Sequence, residues 1–291
     1  MTESRVSLAV PRSLAANCRR SPGDAAWLER LPQVVDDLRR RWSLELEPPF
    51  DGPEVSAAWV APVRRPAGPA VLKVSLPHME ADHEIDGLRF WSGDPTVRLL
   101  EADEAEGAML LERCEPGTWL RERPEPEQDV VIAGLLRRLW RVPADPHPFR
   151  PLSDMLGVWI EETLANEAAW ADPGLVREGL RTFEELSRAP GDHVLLSTDL
   201  HAGNVLAAER EPWLVIDAMP FVGDPAYDAT QHLRNCQQRM LNQPIATIER
   251  FADQLEVDGE RVRRWMFARA AAENRDDWND AWAAVARALR T

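Results

Sequence analysis

Residues 195–224 read LLSTDLHAGNVLAAEREPWLVIDAMPFVGD, and the fold is decided here. Apolar Val194–Leu196 leads into a polar loop running from Ser197 to Gly203. Asn204–Ala208 reads as a strand, Glu209–Pro212 as a turn, and Trp213–Ile216 as a second strand that delivers Asp217 at its end. A hairpin of that length sets two loops side by side, so Asp199, Asn204 and Asp217 can converge on one point. Phosphoryl transfer needs such a point: a carboxylate to orient an attacking hydroxyl, and oxygen ligands for the Mg²⁺ on a nucleotide's phosphates. An isolated Asp in a polar loop is often only a turn former. Three such groups at these spacings, with a strand pattern between them, point to chemistry.

The same residues resemble the catalytic loop and metal-binding Asp of the protein-kinase-like fold. D-L-H-A-G-N (199–204), V-I-D (215–217) and F-V-G-D-P-A-Y-D (221–228) are similar to the aminoglycoside and hydroxyurea phosphotransferase family. Trp27–Pro32, Val71–Val74, Gly87–Gly93, Val97–Leu100 and Ala108–Arg113 resemble that family's N-terminal half, so the likeness covers nearly the whole chain. It implies an α+β, bilobal, kinase-like fold. Residues 1–113 would form an N-lobe of helix and nucleotide-binding sheet, and residues 114–291 a hinge and helical C-lobe.

The activity implied is ATP- and Mg²⁺-dependent O-phosphorylation of a hydroxyl on a small molecule. The leading acceptors are an aminoglycoside such as streptomycin, or hydroxyurea, so that the reaction inactivates an antibiotic. Two other readings stand beside it: a kinase of another small metabolite alcohol, and a catalytically weak, nucleotide-binding pseudokinase-like module.

Carried onto this chain, the resemblance makes Asp199 the base, and Asn204 and Asp217 the metal ligands. Lys73, on a strand between Leu72 and Val74, would reach the α- and β-phosphates. Its ion-pair partner should come from the following helix, Glu84 first and Glu80 second. The main chain at Glu112–Cys114 would meet the nucleotide base. Asp51–Ser56, the candidate phosphate-covering loop, holds one glycine and is no G-x-G-x-x-G loop. Asp154, Glu161, Glu273, Asp276 and Asp277 are candidates for recognising substrate amines or hydroxyls, and Asp224 and Asp228 read as caps of the helix that follows them. The family usually places His-Gly before the catalytic Asp, where this chain has Ser197-Thr198, and often has Pro where Ala218 stands. Every charged group is nonetheless present.

Composition narrows the partners. Forty-nine acidic residues against 34 basic give a net charge of −15, opposite to the field nucleic acid requires and attractive to a polycation. No apolar run approaches the roughly 20 residues that span a bilayer. Three scattered cysteines, Cys18, Cys114 and Cys236, suggest neither a disulfide framework nor a metal cluster, which favours a reducing cytoplasm. The six histidines lack H-x-x-x-H and H-E-x-x-H spacings. No protein partner is implied.

Along the chain, an apolar stripe from Trp27 to Trp42 predicts a helix, with Asp24 as its cap. Val55–Val63 and Ala70–Leu76 predict a hairpin, His78–Trp91 a helix, and Val97–Leu100 and Ala108–Arg113 two strands. Residues 114–127 read as an irregular linker. Helices are expected over Val130–Trp140, Leu152–Trp170 and Leu175–Ser187. After the hairpin, three more are expected over Tyr227–Met240, Ile245–Leu255 and Glu260–Leu289.

Overall fold

The computed structural model describes residues 8–52, 56–272 and 280–290. Two compact units emerge: the described residues up to Gly93 together with Val97–Glu115, and Asp94–Thr96 together with Pro116 onward.

The first unit opens with α1 (Arg12–Asn17) and the long α2 (Pro22–Arg41). Ser21, not Asp24, caps α2, its hydroxyl accepting from the Asp24 amide at 3.2 Å. Pro22 takes the first helical position, where its missing N–H costs nothing, and Asp24 falls in the first turn. The helix runs through Pro32, so the Leu28 carbonyl forgoes its usual donor. A sheet follows, built from β1 (Glu45–Leu46), β2 (Ala58–Arg65), β3 (Gly68–Ser75), β4 (Leu99–Asp103) and β5 (Ala108–Glu112). All pairs are antiparallel and the order is β1-β2-β3-β5-β4. Leu31, Val35 and Leu38 of α2 share one buried core with Trp59, Ala61, Val63, Leu72, Val74 and Leu110 of the sheet. Between β3 and β4 lies α3 (Glu84–Trp91), shorter than the helix predicted from His78. His83 adopts a left-handed φ of 67°, which ends the preceding turn and makes Glu84 the first helical residue.

In the second unit the stretch read as a linker holds a strand, β6 (Pro116–Trp119). Helices α4 (Glu125–Leu139), α5 (Leu152–Ala165) and α6 (Pro173–Arg188) follow, then β7 (Val194–Leu196), β8 (Val205–Ala208), β9 (Leu214–Val215) and β10 (Phe221–Gly223). β6, β8 and β9 form one antiparallel sheet, and β7 pairs with β10 in another. Five more helices complete the described chain: α7 (Pro225–Arg234), α8 (Gln237–Asn242), α9 (Pro244–Leu255), α10 (Gly259–Ala272) and α11 (Asp280–Leu289).

The centre of this unit is tightly packed. A Cβ added at Gly179 of α6 would lie 2.7 Å from the Ala271 Cβ and 2.9 Å from the Ala272 Cβ of α10, inside any real contact distance. Glycine is what lets those two helices approach so closely. Trp265 meets Tyr227 edge to face at 5.3 Å, and its indole N–H donates to Asp224 at 2.6 Å. Asp224 also caps α7 through the Ala226 amide and pairs with Arg261. Among the described residues, no helix is long and apolar enough to cross a membrane.

Candidate active site

Lys73 sits on β3, flanked in the sheet by β2 and β5, opposite Val60 and Met109. Its ammonium donates to both carboxylate oxygens of Glu84, at 2.7 and 2.8 Å. The two residues are 8% and 5% exposed, so the pair is formed away from bulk water. Glu84 is therefore the partner that α3 supplies; the side chain of Glu80 lies outside what is described. Glu112 closes β5. Its amide donates to the Arg98 carbonyl at 2.9 Å and its carboxylate accepts from the Arg98 amide at 3.0 Å, so its main-chain donor is committed within the sheet. Cys114 lies two residues beyond, half-buried.

In the second unit, the loop between β7 and β8 carries Asp199. Asn204 reaches back five residues and donates its amide to the Asp199 carbonyl and to Oδ2, both at 2.9 Å. The other carboxylate oxygen, Oδ1, accepts from Gln231 of α7 at 2.6 Å. Asn204 belongs to a tight turn rather than to β8, and its carbonyl accepts from the Ile216 amide at 2.9 Å. Together with the Val205–Val215 and Leu206–Leu214 pairs, that bond sets the backbone of Asn204 against Ile216, one residue before Asp217. Asp217 has a left-handed φ of 60°, a backbone conformation that costs a non-glycine residue of order 1–3 kcal/mol and collects at functional sites.

Gly203 and His201 hold the loop's inner curve. The His201 Nδ1 accepts from the Gly203 amide at 3.0 Å, which places the imidazole proton on Nε2. A Cβ at position 203 would fall 2.7 Å from the His201 ring, so a side chain there would displace the imidazole. Burial, reinforced by the positive charges of His232 and Arg121 and opposed by Asp217, pushes His201 down to about 4. It is a neutral buttress for the loop.

Asp228 corrects a reading from sequence. It does not cap α7. It accepts from the Ser197 amide at 2.9 Å, the Thr198 amide at 2.8 Å and the Trp140 indole at 3.0 Å. Full burial pushes its carboxyl up to about 6, against the pull of those three donors and of Arg269. Thr198 takes a left-handed φ of 49° and anchors its hydroxyl on the Met219 carbonyl at 2.7 Å. Ser197 is fully buried, and among the described residues its hydroxyl has no hydrogen-bond partner.

Gln231 and Arg269 are absent from the sequence-based candidates. They stand 32 and 70 positions beyond Asp199, where no local spacing connects them to it. Asp154 and Glu161, nominated for substrate amines, are exposed on α5. Glu273, Asp276 and Asp277 lie outside the described residues. Elsewhere, Asp129, His232 and Cys236 place ligand atoms within 4.8 Å of one another. The Arg239 guanidinium already lies against them, 2.7 Å from both Asp129 oxygens and 3.0 Å from the Cys236 sulfur. A fixed cation there makes this an ion-pair network rather than a metal centre.

Residues 41–280 match the aminoglycoside/hydroxyurea antibiotic resistance kinase family. The chain belongs to this family. It is 38% identical to the streptomycin 6-kinase of Streptomyces glaucescens, over 95% of this chain and 93% of that one. The hydroxyurea phosphotransferase of Kitasatospora aureofaciens is 36% identical over 84% of this chain and 72% of its own. Among solved structures, the choline kinase LicA from Streptococcus pneumoniae superposes with a TM-score of 0.60 at 13% identity, covering 89% of this chain and 97% of that one. The fold of this family member is thus protein-kinase-like, with a sheet in one unit and mostly helices in the other.

Proposed function

We propose that this kinase phosphorylates a hydroxyl of a streptomycin-type aminoglycoside, using ATP and Mg²⁺ in the cytoplasm. The observation that carries the reading is the Asp199 carboxylate, oriented by two amide donors on a loop joined through Asn204 to Asp217. Near-full-length identity to a streptomycin 6-kinase favours streptomycin over hydroxyurea. A net charge of −15 favours a polycationic acceptor.

In this mechanism Asp199 orients the acceptor hydroxyl and takes its proton as the oxygen attacks. Asn204 and Asp217 fit Mg²⁺: the Asn204 amide nitrogen is spent on Asp199, which leaves Oδ1 as its ligand atom, and Asp217 adds carboxylate oxygens. Hard oxygen donors of this kind are what Mg²⁺ takes. When bound, the ion neutralises charge on the phosphate oxygens. Lys73, held by Glu84, positions the α- and β-phosphates, and the main chain near Cys114 receives the base. Residues 1–113, the N-lobe, supply Lys73 and Glu84 for the nucleotide, and residues 114–291 supply the hinge, the catalytic hairpin and the acceptor pocket.

The test is direct. The protein, ATP and Mg²⁺ are incubated separately with streptomycin and with hydroxyurea, and each acceptor is weighed by mass spectrometry. A single added phosphate on streptomycin is expected. Phosphorylation of hydroxyurea alone would move the substrate assignment, and a mass gain on neither would sink it.

A further inference from the structure

We infer that Gln231, itself locked by the buried Arg269, is a positioning residue that holds the Asp199 carboxylate in one orientation. The inference rests on the reading of Asp199 as the base. It goes beyond that reading because nothing in the catalytic loop itself supplies this contact.

Three observations carry it. Gln231 Nε2 donates to Asp199 Oδ1 at 2.6 Å, while Arg269 Nη2 donates to Gln231 Oε1 at 2.8 Å. Arg269 is 3% exposed, bonded to the Thr230 hydroxyl at 2.8 Å, and stacked over the rings of Tyr227 and Trp159 at 5.1 and 5.6 Å. Finally, a guanidinium has donors and no acceptor, so the end of the carboxamide that faces it must be the oxygen. A glutamine is otherwise free to present either end. Arg269 removes that freedom, and the NH₂ group is committed to Asp199.

The geometry then closes. Asn204 takes Oδ2 and Gln231 takes Oδ1, so the plane of the carboxylate is fixed from both sides. Two other charges bear on this corner: Arg269 from α10, and Asp228 from α7, whose oxygens hold the Ser197 and Thr198 amides. A base misoriented by a fraction of a bond length loses rate without losing nucleotide, since its work is done on the acceptor.

Gln231→Glu tests the arrangement, because it keeps the shape and the Arg269 contact while turning the donor into a second carboxylate. Turnover on streptomycin should fall about tenfold or more at an ATP KM within about threefold of wild type. Gln231→Leu, which removes the donor without adding charge, should show the same split between kcat and KM. Independently of any acceptor, the Gln231 side-chain amide of nitrogen-labelled protein, assigned by its absence from Gln231→Leu, should shift in Asp199→Ala, which removes the group it donates to. An unshifted amide, or equal losses of kcat and ATP affinity in both Gln231 variants at unchanged melting temperature, overturns the inference. If the amide shifts but wild type phosphorylates neither streptomycin nor hydroxyurea, the acceptor assignment fails and the positioning role stands.

Discussion

Two acids in this protein, Glu84 buried and Asp199 half-buried, are held in different ways. Glu84 is gripped by the ammonium of Lys73, eleven residues away across one strand and the start of one helix. Asp199 is gripped by the amides of Asn204 and Gln231, the second of which is steered by Arg269 from another helix. An ion pair fixes a distance and lowers the energy of both charges. Amide donors fix a plane and supply direction rather than a full countercharge. The first arrangement suits a group whose task is to stay where it is. The second suits a carboxylate that has to meet a hydroxyl at a set angle and accept its proton.

Breaking the second arrangement should produce the largest effect on rate. Asp199→Ala is expected to lower turnover by about 10³-fold or more while ATP affinity stays within about threefold, because the base contributes to the transition state and not to nucleotide binding. Isothermal titration with ATP beside steady-state kinetics checks this, and a matching loss of affinity would recast Asp199 as a metal ligand.

Breaking the first should be felt in stability as well. Lys73→Met leaves Glu84 buried without the cation that engages both its oxygens, a change that costs about 3–5 kcal/mol when a buried pair loses one member. Replacing both residues with Met should recover most of the melting temperature but none of the turnover. A double variant no more stable than the single would mean that the pair's charges are not what stabilises this region.

The contrast also explains what could be read from the sequence. Lys73 and Glu84 lie one strand-to-helix step apart, and Asp199, Asn204 and Asp217 share one hairpin, so local pattern was enough to nominate them. Gln231 and Arg269 reach Asp199 only after α7 and α10 have packed, and no periodicity carries that information. Asp228 looked like a cap because it stands four residues after Asp224, which is one; its engagement with Ser197 and Thr198 depends on where β7 ends. β6 was hidden by Pro116 and Gly117 in a polar stretch, and it is a strand because β8 offers it an edge. The start of α3 was misplaced because the left-handed turn at His83 has no strong signature in a non-glycine residue.

Smaller effects sharpen the picture of the loop. Thr198→Gly removes the cost of a left-handed β-branched residue, about 1 kcal/mol, and forfeits the hydrogen bond to Met219, also about 1 kcal/mol. Stability and turnover should both stay close to wild type, within about 1 kcal/mol and about threefold. Ser197→His should instead destabilise by about 1–3 kcal/mol, because that position is fully buried and the larger ring must displace its neighbours. Thermal melts of the two single variants distinguish these outcomes.

A further effect, remote from the loop, is a slope with pH. Burial disfavours the charged His232, but its hydrogen bonds to Asp129 and Cys236 prevail and raise the imidazole to about 9. A folded value above the unfolded 6.5 means that the stabilisation is complete below pH 6.5 and is lost as pH rises through 9. The melting temperature should therefore decline between those limits, and His232→Gln should flatten the decline. A wild-type curve that is level from pH 6.5 to 9 would show that the imidazole is neutral in the fold.

The close approach of α6 and α10 at Gly179 reaches further than packing. Ala271, against which position 179 is pressed, is two residues beyond Arg269 on the same helix. Any side chain at 179 has to push α10 outward, and with it the guanidinium that orients Gln231. In a library selected for resistance, position 179 should therefore be as intolerant of substitution as a residue that touches the drug. A map of tolerated mutations would mark it as functional although it carries no chemistry of its own.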